Sequence, residues 1–397
     1  MPPRHHVTAS DAGESLRFSP RTPRLRREKP PSTEMHALLR RLRPRLAHNR
    51  FLSAVPMQTV GDQTFVNARD TRLAYADIIG EESLSGKLIS AGPILERLDI
   101  FGAAVAENVA CKGIATISVD RVDIKSQIAH GDLVRLEGEV IYTGRSSLAV
   151  QITGYRHDIE AGEFIHTLSA IMTCVALDEN MRPSPGLPQL MDPTDPEYVK
   201  KHEEIAAQRK ELAARWRSVQ EEVDQLSHVT VDMLKVYDYG RSLQVSIPET
   251  LIEVQNSFLP KHLNRNNTIF GGEVLTWMDK VALYCARNFT KNTNMVTVSM
   301  NRIFFKLPLT MDDIVTMHAR VCSARYFTVA NLDRSYRMKR ISTGLKVDES
   351  DQESMRTLLK AQHRWLFDDE ERKLLTLEPL SLSTQTSSNA QEGRGQL

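Results

Sequence analysis

Residues 91–106 read Ala91-Gly92-Pro93-Ile94-Leu95-Glu96-Arg97-Leu98-Asp99-Ile100-Phe101-Gly102-Ala103-Ala104-Val105-Ala106, and residues 271–286 read Gly271-Gly272-Glu273-Val274-Leu275-Thr276-Trp277-Met278-Asp279-Lys280-Val281-Ala282-Leu283-Tyr284-Cys285-Ala286. An offset of 180 residues sets Gly92 on Gly272, Leu95 on Leu275 and Asp99 on Asp279. Further along, Ser118-Val119-Asp120-Arg121-Val122-Asp123 falls on Ser299-Met300-Asn301-Arg302-Ile303-Phe304 at an offset of 181, and Gly131-Asp132 on Asp312-Asp313. One match would be chance, but an ordered series is duplication.

Each copy starts with a small-residue turn that leads into one helix of about 15–18 residues, apolar nearly all round, which implies burial on every side. Period-two strands follow. Val134, Leu136, Gly138 and Val140 alternate with Arg135, Glu137, Glu139 and Ile141, and Leu148, Val150 and Ile152 alternate with Ala149, Gln151 and Thr153. In the second copy Val315, Met317, Ala319 and Val321 alternate with Thr316, His318, Arg320 and Cys322. A long helix wrapped by an antiparallel sheet satisfies both periods, so the fold class is α+β. Between the copies, Asp195–Leu226 carries Tyr198, Ile205, Leu212, Trp216 and Val219 in a highly charged helical pattern, read as a linker helix laid over the body.

The 397 residues exclude a single small module. Lys plus Arg (51) nearly balances Asp plus Glu (50), which argues against a broad basic surface for nucleic acid. No apolar run approaches the roughly 20 residues that span a bilayer, so no integral membrane segment is expected. Cys111, Cys174, Cys285 and Cys322 are scattered, with no ligand spacing, and read as buried small hydrophobes rather than zinc ligands or disulfides. No metal and no cofactor is expected.

The ends differ from the middle. Residues 1–50 hold twelve Lys or Arg against four Asp or Glu, with many Pro and Ser, so residues 1–55 are expected outside the folded body. From Met35 through Gly61 there is no acid, while Arg40, Arg41, Arg43, Arg45 and Arg50 alternate with Leu39, Leu42, Leu46 and Phe51. That is the pattern of a mitochondrial presequence, predicting the matrix, with Met35 as a second candidate start; a basic disordered tail is the alternative. Residues 379–397, rich in Ser, Gln, Asn and Gly, read as a disordered tail.

Helix, duplication and local strings together resemble the acyl-CoA thioesterases of the hotdog fold in their tandem form. The Pro-x-x-x-Asn, Phe-Gly-Gly and Trp-Met-Asp strings of that family stand here as Pro260, Asn264, Phe270, Gly271, Gly272, Trp277, Met278 and Asp279. The stretch Cys174-Val175-Ala176-Leu177-Asp178-Glu179-Asn180-Met181-Arg182-Pro183 resembles the closing strand and turn of such a domain. The resemblance implies two tandem hotdog domains, 65–190 and 231–378, joined by a linker helix in 191–230 and paired as an intramolecular double hotdog. It further implies an acyl-CoA substrate, hydrolysis to free acid and CoA, and a homo-oligomer, a trimer of double hotdogs or a dimer. Gly144, Arg145, Ser146 and Ser147 stand where relatives hold the nucleotide part of CoA.

Thioester hydrolysis needs a carboxylate, donors for the developing oxyanion, and a group that holds the acyl carbonyl. Gly271 and Gly272 open a helix, where amide N–H groups point outward and no side chain blocks approach. Asn264 offers an amide, and Asp99 and Asp279 are single carboxylates in apolar helices, where an unpaired charge is expensive. Each has a plainer reading: a tight turn, a loop cap, a solvated hairpin Arg, and for the Asp residues a structural role. In the family each helix delivers its carboxylate across to the other copy's Gly turn. Asn264 and Gly271 with Asp99 then form a complete site, whereas Asp279 meets a turn with Leu84 in the Asn position and Ala91 in the first Gly position, a vestigial partner. Competing readings are an inactive acyl-CoA-binding protein and a hydratase or dehydratase; the latter would use a His near the start of the central helix, and residues 84–110 and 264–290 contain none.

Overall fold

A computed structural model describes residues 5–8, 55–84, 86–234, 243–322 and 327–374. A hairpin of β2 (Met57–Val60) and β3 (Gln63–Asn67) and strand β4 (Leu73–Ile78) precede helix α1 (Gly92–Ala110), followed by β5 (Gly113–Val119), β6 (Val122–Ile124), β7 (Leu133–Thr143), β8 (Ser147–Asp158), β9 (Glu163–Leu177) and β10 (Gln189–Met191). Helix α2 (Pro196–Gln225) leads to β11 (Leu243–Ser246) and β12 (Ile252–Ser257). Then come α3 (Gly271–Thr290), β13 (Met295–Met300), β14 (Ile303–Phe304), β15 (Ile314–Ala319), β16 (Phe327–Asn331), β17 (Thr343–Lys346) and α4 (Gln352–Leu374).

The duplication is visible in the two central helices. Pro93, whose φ suits a first helical turn, starts α1, and Gly271-Gly272 starts α3. Both helices end on a left-handed residue, Cys111 at φ 49° and Lys291 at φ 53°. Helix α1 buries Ile94, Leu95, Leu98, Phe101, Val105 and Val109 against the long antiparallel ladder β7–β8–β9. Helix α3 buries Val274, Trp277 and Val281 against Val315 and Met317 of β15.

The sheets of the two copies are continuous. Strand β6 pairs with β13 through Val122 and Met300, and β5 pairs with β14 through Val119 and Ile303, making one sheet of nine strands among the described residues. Strands β12 and β15 form a separate antiparallel pair. Residues 5–8, expected outside the folded body, form strand β1, parallel to Val315–His318 of β15; the reason is an edge strand that offers a free row of backbone groups. The first unit also starts before residue 65, because β3 of the 57–67 hairpin pairs in parallel with β10. The rest of the predicted presequence up to residue 54, and residues 375–397, lie outside the described residues.

The linker helix falls where the pattern placed it, capped by the Asp195 side chain. Helix α4 replaces part of the expected second unit and packs on α2, with Phe367 edge-on to Trp216 at 5.4 Å and Met355, Leu358 and Leu359 closing a small core with Val223, Val229 and Ile247. Beneath the two helices lies a buried ionic cluster on the junction of the copies. Asp120 accepts from Arg209 of α2 and from Arg302 (2.8 Å), while Arg121 donates to Asn301 (2.6 Å) and pairs with Asp368 of α4 (3.0 Å). Such paired burial contributes little net stability, but removing one member would leave an expensive uncompensated charge.

Of the four cysteines, Cys174 and Cys285 are buried as expected, whereas Cys111, on the exposed cap of α1, is not; all four are free thiols. No helix among the described residues is long and apolar enough to cross a membrane.

Candidate active site

The N-termini of α1 and α3 meet, and each sends its first amides to a carboxylate of the other. The Gly272 N–H donates to Asp99 Oδ2 at 2.7 Å, and the Gly92 N–H donates to Asp279 Oδ2 at 3.0 Å. The remaining oxygen of each carboxylate takes a hydroxyl from a strand of its own copy: Thr116 donates to Asp99 Oδ1 (2.8 Å), and Thr297 donates to Asp279 Oδ1 (2.5 Å). Asp99 is 2% exposed and Asp279 0%. Burial pushes both carboxyls above the ordinary carboxylate range, and the hydroxyl and amide donors only partly oppose it.

Glycine is required where the helices touch. A Cβ on Gly272 would lie 2.8 Å from Glu96 Cα and 3.0 Å from Asp99 Cβ. A Cβ on Gly271 would lie 3.3 Å from Asp99 Oδ1 and 3.1 Å from the Phe305 ring. Gly271 therefore sits directly against Asp99 Oδ1 and the Phe305 ring, and its N–H is the first amide of α3, one of the four that a helix leaves without an intrahelical partner. In the other copy the corresponding place holds the side chain of Ala91, which is buried.

Cys174 lies beside Asp99 and Thr116. Burial, reinforced by the Asp99 charge, holds its thiol far above the ordinary range, so it is not a thiolate nucleophile.

Asn264 is engaged within its own loop. Its Oδ1 accepts the N–H groups of Asn266 (2.8 Å) and Thr268 (3.2 Å), and its Nδ2 donates to Thr268 Oγ1 (2.8 Å). A short amide in a tight loop satisfies its own backbone first, and the structure shows no hydrogen bond from it to Asp99. The loop still reaches the first copy, since Asn266 Nδ2 donates to the Ile114 carbonyl (3.0 Å) and Arg265 pairs with Glu107 (2.8 Å). His262, two residues before Asn264, accepts from the Leu259 N–H (3.0 Å) and faces Glu273 at 3.6 Å.

A cleft of about 700 Å³ opens beside this loop, lined by Lys112, Gly113, Asp178, Met181, Ser184 and Arg265 among others, and so by both copies. The Gly144–Ser147 turn borders it without lining it: the Gly186 N–H donates to the Arg145 carbonyl (3.1 Å) and the Ala176 N–H to the Ser146 carbonyl (2.8 Å). Arg145 is exposed on that rim. Thr116 and Thr297 escaped the sequence reading, although the 181-residue offset that matches Ser118 with Ser299 also matches them.

The thioesterase superfamily model matches residues 86–163 and 266–325, the two segments that carry the repeat. Protein VdlD of Helicobacter pylori is 30% identical over 155 residues, covering 39% of this chain and 87% of that protein. The chain belongs to the thioesterase superfamily. An uncharacterized acyl-CoA thioester hydrolase of Buchnera aphidicola is 31% identical over 103 residues, covering 25% of this chain and 76% of that protein. Mouse acyl-coenzyme A thioesterase 11 is 24% identical over 276 residues, covering 66% of this chain and 45% of its own length. Among solved structures, an apo-hexameric acyl-CoA thioesterase aligns at 27% identity and TM-score 0.34, covering 38% of this chain and 97% of that one. In this thioesterase the family segments carry both carboxylates and both Gly turns.

Proposed function

We propose that this thioesterase hydrolyses acyl-CoA to a free acid and CoA at a composite site made by Asp99 and Thr116 of the first copy and the Gly271-Gly272 turn of the second. The observation that carries the reading is the 2.7 Å bond from Gly272 to Asp99, which sets a buried carboxylate of one copy against the Gly turn of the other. Asp99 takes a proton from water as the water oxygen bonds to the thioester carbon. The carbonyl oxygen becomes an oxyanion facing the Gly271 N–H, in a site dry enough for that donor to count. Collapse breaks the C–S bond, and the CoA thiolate leaves with the proton held by Asp99.

The bonds between α1 and α3 and the shared sheet support reading the two units as hotdog domains paired as a double hotdog within one chain. The linker helix and the acid-free stretch 35–61 favour the tandem mitochondrial type, acyl-coenzyme A thioesterase 9, acting on fatty acyl groups in the matrix. Hexameric relatives of this fold favour a homo-oligomer of double hotdogs. The inactive acyl-CoA-binding reading is kept because Asn264 is engaged by its own loop.

Steady-state hydrolysis across acyl chain lengths, with a thiol-reactive dye reporting free CoA, tests the reading. Turnover at any length supports it, and none above background leaves only binding. For location, fusions of residues 1–60 and 35–60 to a fluorescent protein should both enter mitochondria; cytosolic fluorescence from both removes the presequence.

A further inference from the structure

The two copies close with the same turn. In the first, the Asp178 N–H donates to the Arg182 carbonyl (2.9 Å), Asp178 Oδ1 accepts from the N–H groups of Asn180 (2.8 Å) and Arg182 (2.9 Å), and Met181 is left-handed at φ 61°. In the second, the Asp333 N–H donates to the Arg337 carbonyl (2.9 Å), Asp333 Oδ1 accepts from Ser335 (2.7 Å) and Arg337 (3.0 Å), and Tyr336 is left-handed at φ 59°.

With the backbones alike, the side chains make the difference. Residues 178–185 read Asp-Glu-Asn-Met-Arg-Pro-Ser-Pro, two acids and one base, while 333–340 read Asp-Arg-Ser-Tyr-Arg-Met-Lys-Arg, one acid and four bases. The single acid, Asp333, is occupied in holding the turn. Arg334, Tyr336, Arg337, Lys339 and Arg340 are all exposed. In a chain of net charge +1, four cations within seven residues are a local feature, not a consequence of composition.

The place of the turn is also informative. The first turn lines the cleft between the copies, together with Arg265 and Asn266 of the second. The second is tied to the head of β13, where the Leu332 N–H donates to the Asn294 carbonyl (2.9 Å) and Asn292 Nδ2 donates to the Leu332 carbonyl (2.8 Å). Three residues beyond Asn294 stands Thr297, whose hydroxyl holds Asp279.

We propose that the 333–340 turn binds the phosphate groups of a CoA nucleotide on the Asp279 side of the molecule. The identity of the ligand rests on the acyl-CoA reading above. Arg forks match phosphate oxygens, a one-signed cluster at the head of a strand concentrates a polyanion, and Tyr336 offers a ring to the base. With Ala91 and Leu84 where the other side has Gly271 and Asn264, this side holds the nucleotide without turning over its thioester. A lipid surface fits less well, because the cations sit on one tight turn with Met338 rather than along a broad apolar face.

Calorimetric titration of the full chain with CoA tests this, comparing wild type, R334Q/R337Q/K339Q, and a control with three cations removed from the linker helix, K200Q/K201Q/R217Q. Removing three of the four cations should lower the affinity of the turn variant for CoA by roughly tenfold, a loss that shrinks as salt rises. The control should match wild type, and 3′-dephospho-CoA should bind wild type more weakly than CoA. Unchanged CoA binding by the turn variant overturns the proposal. Capture of wild type but not the turn variant by phosphatidylserine vesicles, with CoA binding unchanged, reassigns the turn to lipid. Hydrolysis is followed in the same samples: no turnover with turn-dependent CoA binding removes the catalytic reading alone, whereas turnover with turn-independent binding removes this proposal alone.

Discussion

The adjacent glycines of α3 should fail in different ways when each is given a methyl group. In Gly272→Ala the new Cβ meets Glu96 Cα at 2.8 Å, the Glu96 carbonyl oxygen at 3.0 Å and Asp99 Cβ at 3.0 Å. Two of these are backbone atoms of α1 and cannot retreat alone, so the helices must separate. Overpacking of this kind costs about 1–3 kcal/mol, or roughly 2–10 °C in Tm for a protein of this size class. In Gly271→Ala the methyl meets the Phe305 ring at 3.1 Å and Asp99 Oδ1 at 3.3 Å. A ring can tilt by a few tenths of an ångström, so Tm should move by less than about 3 °C. The methyl nevertheless stands against Asp99 Oδ1 next to the Gly271 N–H, and denying the proposed oxyanion its donor predicts a fall in kcat of about 10²–10³-fold. Thermal melts and steady-state hydrolysis on both variants measure the separation. A Gly271→Ala enzyme with more than half the wild-type kcat would refute the placement of the carbonyl, and a Gly272→Ala protein with an unshifted Tm would refute the helix contact.

Three further outcomes follow from the same geometry. Because burial raises the Asp99 carboxyl, hydrolysis should rise with pH through a midpoint above the ordinary carboxylate range, and Thr116→Val, removing a donor to the charged form, should move that midpoint further up; an unmoved acid limb counts against Asp99 as the base. The same raised carboxyls mean that the folded chain binds these protons more tightly than the unfolded one, so their stabilising contribution is present at low pH and lost as pH rises through the folded values; Asp99→Asn/Asp279→Asn should therefore gain in Tm over wild type as pH goes from about 4 to 8, and a constant difference would contradict it. Arg145→Ala should raise KM by about 5–30-fold with kcat nearly unchanged, and an unchanged KM would return Arg145 to a solvated rim residue.

The sequence made the helices, the linker and the crossed carboxylates legible because each rests on a signal carried by residue type and spacing. An Asp inside an apolar helix, repeated at 180 residues, has few explanations besides a site, and Asp99 and Asp279 do reach the opposite copy's amides. Leu84 and Ala91 marked the Asp279 side as a vestigial site; that its turn still supplies a backbone N–H, from Gly92, is invisible to side-chain comparison. Asn264 is a different case, since a motif position says nothing about how far the loop uses the amide for itself, and here the loop takes its Oδ1 and one Nδ2 donor. Helix α4 stayed hidden because its inner face is charged: Lys360, Arg364, Asp368 and Glu371 are buried in ion pairs, so the apolar stripe that betrays a helix is broken.

The central claim is that one carboxylate, Asp99 on the Gly271 turn, carries the hydrolysis. Its most direct measurement is kcat for Asp99→Asn and Asp279→Asn under identical conditions, with circular dichroism confirming that both are folded. The account predicts a loss of about 10²-fold or more for Asp99→Asn and less than about threefold for Asp279→Asn. Equal losses, or a larger loss for Asp279→Asn, would contradict it.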